Sequence, residues 1–211
     1  MKKEFEKRII SSLIIIPIAL FFIIKGSVFF TFFLGIFFLA TSYEWIKMNK
    51  NKSIKLLGLL YLLIAFYLSY LLREFSGFKL FLFIIVVCIF TDLGGYIFGK
   101  LFKGPKLTKI SPNKTYSGVL GGFILSVIAG SIYNQKIYSA SAAFNSIFLY
   151  VDYNIHPHTT LLLLILIISS VSQVGDLIIS YFKRLAKVKD TGKILPGHGG
   201  LLDRVDGIIF A

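Results

Sequence analysis

The stretch Thr159-Thr-Leu-Leu-Leu-Leu-Ile-Leu-Ile-Ile-Ser-Ser-Val-Ser-Gln-Val-Gly-Asp176-Leu-Ile-Ile-Ser180-Tyr-Phe182 decides the fold class. It is continuously apolar rather than alternating, and it is near the ~20 residues that a helix needs to cross a ~30 Å hydrocarbon core. Directly after it the chain turns polar, with Lys183-Arg184, Lys189-Asp190, Pro196-Gly-His198-Gly-Gly200 and Asp203-Arg204-Val-Asp206. A chain this apolar does not need such a segment to fold. Its place beside a membrane span points to chemistry on a charged substrate at the bilayer surface.

The same pattern recurs upstream. Apolar segments run over Ile9–Ile24, Ser27–Tyr43, Leu56–Leu72, Leu80–Gly99 and Gly118–Tyr133, which with Thr159–Phe182 makes six. A further apolar stretch begins near Val205 and is too short to span by itself. Of 211 residues 56% are hydrophobic, and the mean hydropathy is +0.80. These values exclude an ordinary soluble domain. Only helices or closed barrels satisfy their backbone groups in lipid, and unbroken apolar runs favour helices. The expected fold is therefore all-α: a polytopic membrane bundle of six spans with a short C-terminal apolar helix. Lys25-Gly26 alone separates the first two segments, so they should form a tight hairpin. Met1–Ile24 has the charge and apolarity of a secretory signal, but no small-residue cleavage site follows it. It reads as an uncleaved first span.

Charge fixes the orientation. With the N-terminus in the cytoplasm, the inner segments 1–8, 44–55, 100–117 and 183–206 carry 19 Lys and Arg, and the outer ones carry 4. That is the asymmetry of the positive-inside rule. The polar motif then faces the cytoplasm, the nucleotide-containing side, in a bacterial inner (plasma) membrane. The net charge of +13 does not imply nucleic acid, because the basic residues lie between apolar runs. Lys47, Lys50, Lys52 and Lys55 read as a loop facing lipid headgroups. The single Cys88 rules out a disulfide framework or a cysteine metal site.

Carboxylates inside spans are costly, and two stand out: Asp92 and Asp176. Asp176, Ser180 and Lys183 fall at i, i+4 and i+7, on one helix face. Asp203 and Asp206 fall at i and i+3. Three carboxylates converging at one mouth suit Mg²⁺, which takes carboxylate oxygens together with substrate phosphates. Lys183, Arg184, Lys189 and Arg204 would face those phosphates. Two of only four arginines, Arg184 and Arg204, lie in this motif, and a planar fork makes bidentate phosphate contacts that lysine cannot. His198, in its glycine-rich turn, is compatible with a proton donor, a phosphate contact or a loop stabiliser. The inner loop Ile110-Ser-Pro-Asn113-Lys114-Thr115-Tyr-Ser-Gly118 opens a helix, and such an N-terminus can receive an anion. Gly94-Gly-Tyr-Ile-Phe-Gly99-Lys100 imitates a P-loop, but Leu101 stands where a hydroxyl must bind the metal. Gly95/Gly99 and Gly118/Gly122 have the spacing of close helix contacts, which also allows a homodimer.

The run Ser180-x-x-Lys183-Arg184-x₄-Lys189-Asp190-x₅-Pro196-x-His198-Gly199-Gly200-x-x-Asp203-Arg204-x-Asp206 resembles the signature of the phosphatidate cytidylyltransferase family. Asp92-x-Gly-Gly-Tyr96-x-x-Gly99 and Ile110-Ser-Pro-Asn-Lys-Thr115 resemble two further blocks, so the likeness runs from about Thr91 to Gly207. It implies CTP and phosphatidate, a membrane lipid, as substrates, CDP-diacylglycerol and pyrophosphate as products, and Mg²⁺ as cofactor, with room for a second cation. It implies Asp176 and Asp203 as metal ligands. Lys183, Arg184 and Asp206 become catalytic. Ser180, Lys189, Asp190, His198, Arg204, Asn113, Lys114 and Thr115 become substrate contacts. Residues 1–90 form an N-terminal helical region and 91–211 the catalytic region. The family pattern continues into a further apolar helix, which this sequence enters for only a few residues before Ala211. Other readings weighed against this one are a different CTP-using lipid enzyme, such as a polyprenol kinase or an ether-lipid cytidylyltransferase, and a cation-coupled transporter using Asp92 and Asp176.

Overall fold

The computed structural model describes residues 2–108, 110–138, 157–195 and 199–211. It is helical, and the described residues contain no β-strand beyond two isolated bridges, Lys106 with Thr115 and Leu195 with Gly199. The helices are α1 (Lys2–Lys25), α2 (Ser27–Met48), α3 (Lys52–Phe102), α4 (Tyr116–Tyr133), α5 (Pro157–Leu185) and the single turn α6 (Leu202–Val205). A π-helical turn, Asn134–Tyr138, extends α4. Among the described residues, four helices are long and apolar enough to cross a membrane: α2, α3, α4 with its extension, and α5. Their outward faces carry Leu39, Leu57, Leu120 and Ile167, all well exposed, as a lipid-facing surface requires. Most of the outer loop, including the whole apolar stretch Ala140–Val151, lies outside the described residues, as do Lys109 and Pro196-Gly197-His198.

The chain divides into two compact units. The first holds residues 1–78 and 182–209. Its α1–α2 hairpin turns on one residue, Gly26, whose φ of 68° suits a residue without a Cβ. A Cβ there would also overlap the Arg73 guanidinium. Arg73 donates through Nε to the Ile23 carbonyl at 3.1 Å and through Nη2 to that of Ile24 at 3.2 Å. It thereby satisfies carbonyls that the last turn of α1 leaves open. Trp45 joins two further helices: its indole N–H donates to the Ile54 carbonyl of α3 at 3.2 Å, Gly58 of the same helix admits its ring, and Phe182 of α5 meets it edge-on at 5.1 Å. Residues 207–210 form turns rather than the apolar helix expected there, and α6 instead carries Asp203 and Arg204. The Ile209 carbonyl accepts from the Tyr61 hydroxyl at 3.1 Å.

The second unit holds residues 79–181 and 210–211. Here α3 and α4 cross on glycines. A Cβ on Gly94 would run into the Gly121 carbonyl, and one on Gly118 would lie 2.8 Å from the Gly95 carbonyl oxygen. The glycine faces are therefore occupied by this crossing, and a homodimer would need another surface. Thr91 links α3 to α5 by a buried hydrogen bond to Ser169, 2.8 Å long. Asp92, one residue on, is exposed. α3 is broken just before this unit, at Gly77, where φ is 80° and ψ is 166°.

Candidate active site

The polar motif of the first unit is built around two carboxylates. α5 ends in a left-handed residue, Lys187, with φ 59°. The Val188 N–H returns to the Lys183 carbonyl at 2.9 Å and the Lys187 N–H to that of Arg184 at 3.0 Å. This closure resembles a Schellman cap. It directs the chain into the loop 188–201 and leaves Lys183 on the last turns of the helix. The Lys183 ammonium lies 2.9 Å from Asp203 Oδ1 and 4.0 Å from Asp206 Oδ2, so one cation serves two acids three residues apart. The other oxygen of Asp203, Oδ2, accepts from the Thr191 N–H at 2.8 Å, the Gly200 N–H at 3.1 Å and the Thr191 hydroxyl at 3.1 Å. Gly199, with φ 88°, makes the turn that brings the Gly200 N–H round to this oxygen.

The second carboxylate is Glu44, near the end of α2. It is 1% exposed. Its Oε1 accepts from the Leu201 N–H at 3.0 Å, and its Oε2 from the Leu202 N–H at 2.8 Å and the Thr191 hydroxyl at 3.1 Å. Gly192 and Gly200 let the loop close on it, because a Cβ on either would collide with the carboxylate. Glu44 is not among the site residues expected from the sequence. Its neighbours read as the end of a greasy helix, and its partners lie about 150 residues away. The available signal was isolation, since no other acid lies between Glu6 and Glu74. Beside it opens a cavity of about 700 Å³ whose lining includes Glu44, Lys47, Lys189, Asp190, Thr191 and Lys193.

Other residues singled out in the motif are placed more simply. Arg184 is exposed and donates to the Val188 carbonyl at 3.4 Å. Lys189, Asp190 and Arg204 are exposed. His198 falls outside the described residues.

The second unit holds the other cluster. Lys106 and Thr115 pair in an isolated bridge, and the Leu107 N–H donates to the Lys114 carbonyl at 2.8 Å. The loop between them thereby delivers Thr115 to the start of α4. Thr115 has extended backbone, and its hydroxyl accepts from the Gly118 N–H at 3.1 Å, a helix N-cap. Lys114, immediately before it, donates to Asp176 Oδ2 on α5 at 2.9 Å. Asn113 is exposed. Because α5 is continuous, Asp176, Ser180 and Lys183 keep their common face.

Among the described residues no group of three or more His, Cys, Asp or Glu could hold a metal ion as it stands. The donor set is nevertheless right in kind for Mg²⁺, which takes hard carboxylate oxygens. Asp176 and Asp203 each present one oxygen to a lysine ammonium and so to a positive charge. A divalent cation would compete with those ammonium groups.

A model of the cytidylyltransferase family matches residues 6–73 and 53–211. The chain belongs to this family. Curated relatives include the phosphatidate cytidylyltransferase of Staphylococcus saprophyticus, 38% identical over 178 residues that cover 82% of this chain and 62% of the relative. That of Staphylococcus aureus strain COL is 36% identical over the same shares. That of Brucella suis is 38% identical over 136 residues, 64% of this chain and 44% of the relative. The match to the staphylococcal proteins thus takes in 62% of their length. The described ion-paired carboxylates all fall inside the family match.

Proposed function

We propose that this protein transfers the cytidylyl group of CTP to phosphatidate, giving CDP-diacylglycerol and pyrophosphate. The observation that carries the reading is Lys183, an ammonium at the end of α5 held between Asp203 and Asp206 beside a loop whose Lys189, Asp190 and Lys193 are exposed. The names of the relatives supply the substrate pair. In the reaction an oxygen of the lipid phosphate bonds to the α-phosphorus of CTP. The bond from that phosphorus to the bridging oxygen breaks, and pyrophosphate carries away its electron pair. The nucleophile is already an anion, so no strong base is required, and catalysis rests on positioning and charge neutralisation.

Lys183, Arg184, Lys189 and Arg204 supply positive charge for the nucleotide phosphates, and Lys114, Asn113 and Thr115 offer a second set of donors. Ser180 contributes a hydroxyl on the face shared by Asp176 and Lys183. Mg²⁺ suits the carboxylate oxygens of Asp203, beside Lys183, and of Asp176, beside Lys114, and would neutralise phosphate charge when bound. The orientation with the N-terminus in the cytoplasm rests on the 19-to-4 charge split. The count of six spans is supported by the break of α3 at Gly77, which divides that helix near its middle into two lengths that each suit a bilayer.

The test is a pair of labels. The full chain, purified in detergent and returned to phosphatidate-containing vesicles with Mg²⁺, is given CTP labelled at the α- or the γ-phosphorus. Cytidylyl transfer puts the α-label into lipid and leaves the γ-label in pyrophosphate. Label from the γ-position in lipid would instead make the protein a kinase. Absence of both from folded protein would remove the reading.

A further inference from the structure

Glu44 does something that the cytidylyl-transfer reading does not use. It is a carboxylate on α2, 1% exposed, and among the described residues its donors all come from the segment 191–202: the N–H groups of Leu201 and Leu202 and the hydroxyl of Thr191. The Thr191 hydroxyl lies 3.1 Å from Glu44 Oε2 and 3.1 Å from Asp203 Oδ2. Its one proton is shared between the two carboxylates, and the Thr191 N–H donates to the same Asp203 oxygen at 2.8 Å, so Thr191 links the two acids. Asp203 in turn holds the Lys183 ammonium through its other oxygen. An unbroken chain of polar contacts therefore runs from α2 through Thr191 and Asp203 to Lys183. The glycines at 192 and 200 have the same explanation, since any side chain there would strike Glu44.

We propose that Glu44 is a positioning residue: it clamps both ends of the loop 191–202 and, through Thr191, fixes the Asp203 carboxylate so that Oδ1 faces Lys183. The role needs two equivalent acceptor oxygens. Leu201 and Leu202 each bring an N–H, and each goes to a different oxygen of the carboxylate. In Glu44→Gln one of the two amides would face an NH₂ group, donor against donor. Glu44→Asp is a methylene shorter but keeps both acceptors. A residue that only filled space would show the opposite order, because glutamine matches glutamate in volume and aspartate does not.

The experiment compares wild type, Glu44→Gln, Glu44→Asp and Thr191→Val as full chains in lipid vesicles, by two readouts. The first is amide hydrogen exchange of peptides covering 199–204, which needs no substrate. Faster exchange is expected in Glu44→Gln, with less change in Glu44→Asp. The second is turnover of CTP with phosphatidate, which rests on the proposed function. Here kcat should fall about 10- to 100-fold in Glu44→Gln, as for the loss of a charge-assisted contact, with KM for phosphatidate unchanged and partial recovery in Glu44→Asp. Glu44→Gln added to Thr191→Val should cost little beyond Glu44→Gln alone, because both break one chain of contacts. Unchanged exchange in Glu44→Gln overturns the clamp, and so does glutamine outperforming aspartate. If Glu44→Gln does not fold, Thr191→Val decides: kcat equal to wild type overturns the positioning role. Wild type without turnover but with the predicted exchange pattern would remove the catalytic reading and leave the clamp standing.

Discussion

Two carboxylates of this protein each hold a lysine ammonium at 2.9 Å, yet they are not equivalent. Asp203 and Lys183 are 9% and 12% exposed, whereas Asp176 and Lys114 are 20% and 29%. Asp203 also gathers two backbone N–H groups and a hydroxyl on its second oxygen. The same chemical pair is therefore embedded in one case and accessible in the other. A buried pair that loses one partner strands the remaining charge and its donors. A partly exposed pair can exchange its partner for a phosphate or a cation at small cost. Asp203 has two duties, folding the loop and aiming Lys183. The described contact of Asp176, to Lys114, is one that a substrate complex can replace.

The largest expected effect is at Asp203. Asp203→Asn should cost about 3–5 kcal/mol of stability, because the NH₂ of the new side chain would oppose either the Thr191 and Gly200 N–H groups or the Lys183 ammonium, which also loses the nearer of its two counter-charges. Turnover should fall about 1000-fold or more, as expected when charge stabilisation at a phosphate site is lost. Thermal unfolding in detergent and the labelled-CTP assay measure the two. Asp176→Asn should fall in turnover by about 100-fold or more and change stability by less than about 1 kcal/mol. If both substitutions unfold the protein alike, the comparison breaks.

The two clusters also differ in how far the sequence revealed them. The long apolar runs located the helices, and the tight hairpin at Lys25-Gly26 was legible because only two residues separate the runs. Asp176 was legible because an acid inside an apolar helix is expensive. The helix-opening role of the segment before Gly118 was legible too, from Thr115 preceding a glycine-rich apolar run. The pairing of Lys183 with Asp203 was not, because both residues looked like ligands for something else. The spacing of a loop says little about which of its charges meet each other. Glu44 was hidden for the same reason: the contacts that explain it are with backbone N–H groups far along the chain, and backbone groups leave no mark in a sequence.

Smaller effects sharpen the contrast. Thr115→Ala removes the N-cap of α4 and should cost about 1 kcal/mol. Since the Lys114–Asp176 contact hangs on the same loop, its loss should also weaken CTP binding, read as a rise in KM. Lys187→Gly acts at the end of α5. A left-handed residue other than glycine costs roughly 1 kcal/mol, so this substitution should raise the unfolding midpoint slightly and leave turnover unchanged.

The division between the embedded and the accessible carboxylate is the central feature of the site. Its most direct test is the unfolding midpoint of Asp203→Asn beside that of Asp176→Asn, in one detergent and without nucleotide. A clear drop is expected for Asp203→Asn and a midpoint near wild type for Asp176→Asn. A drop for Asp176→Asn as large as that for Asp203→Asn would contradict that division.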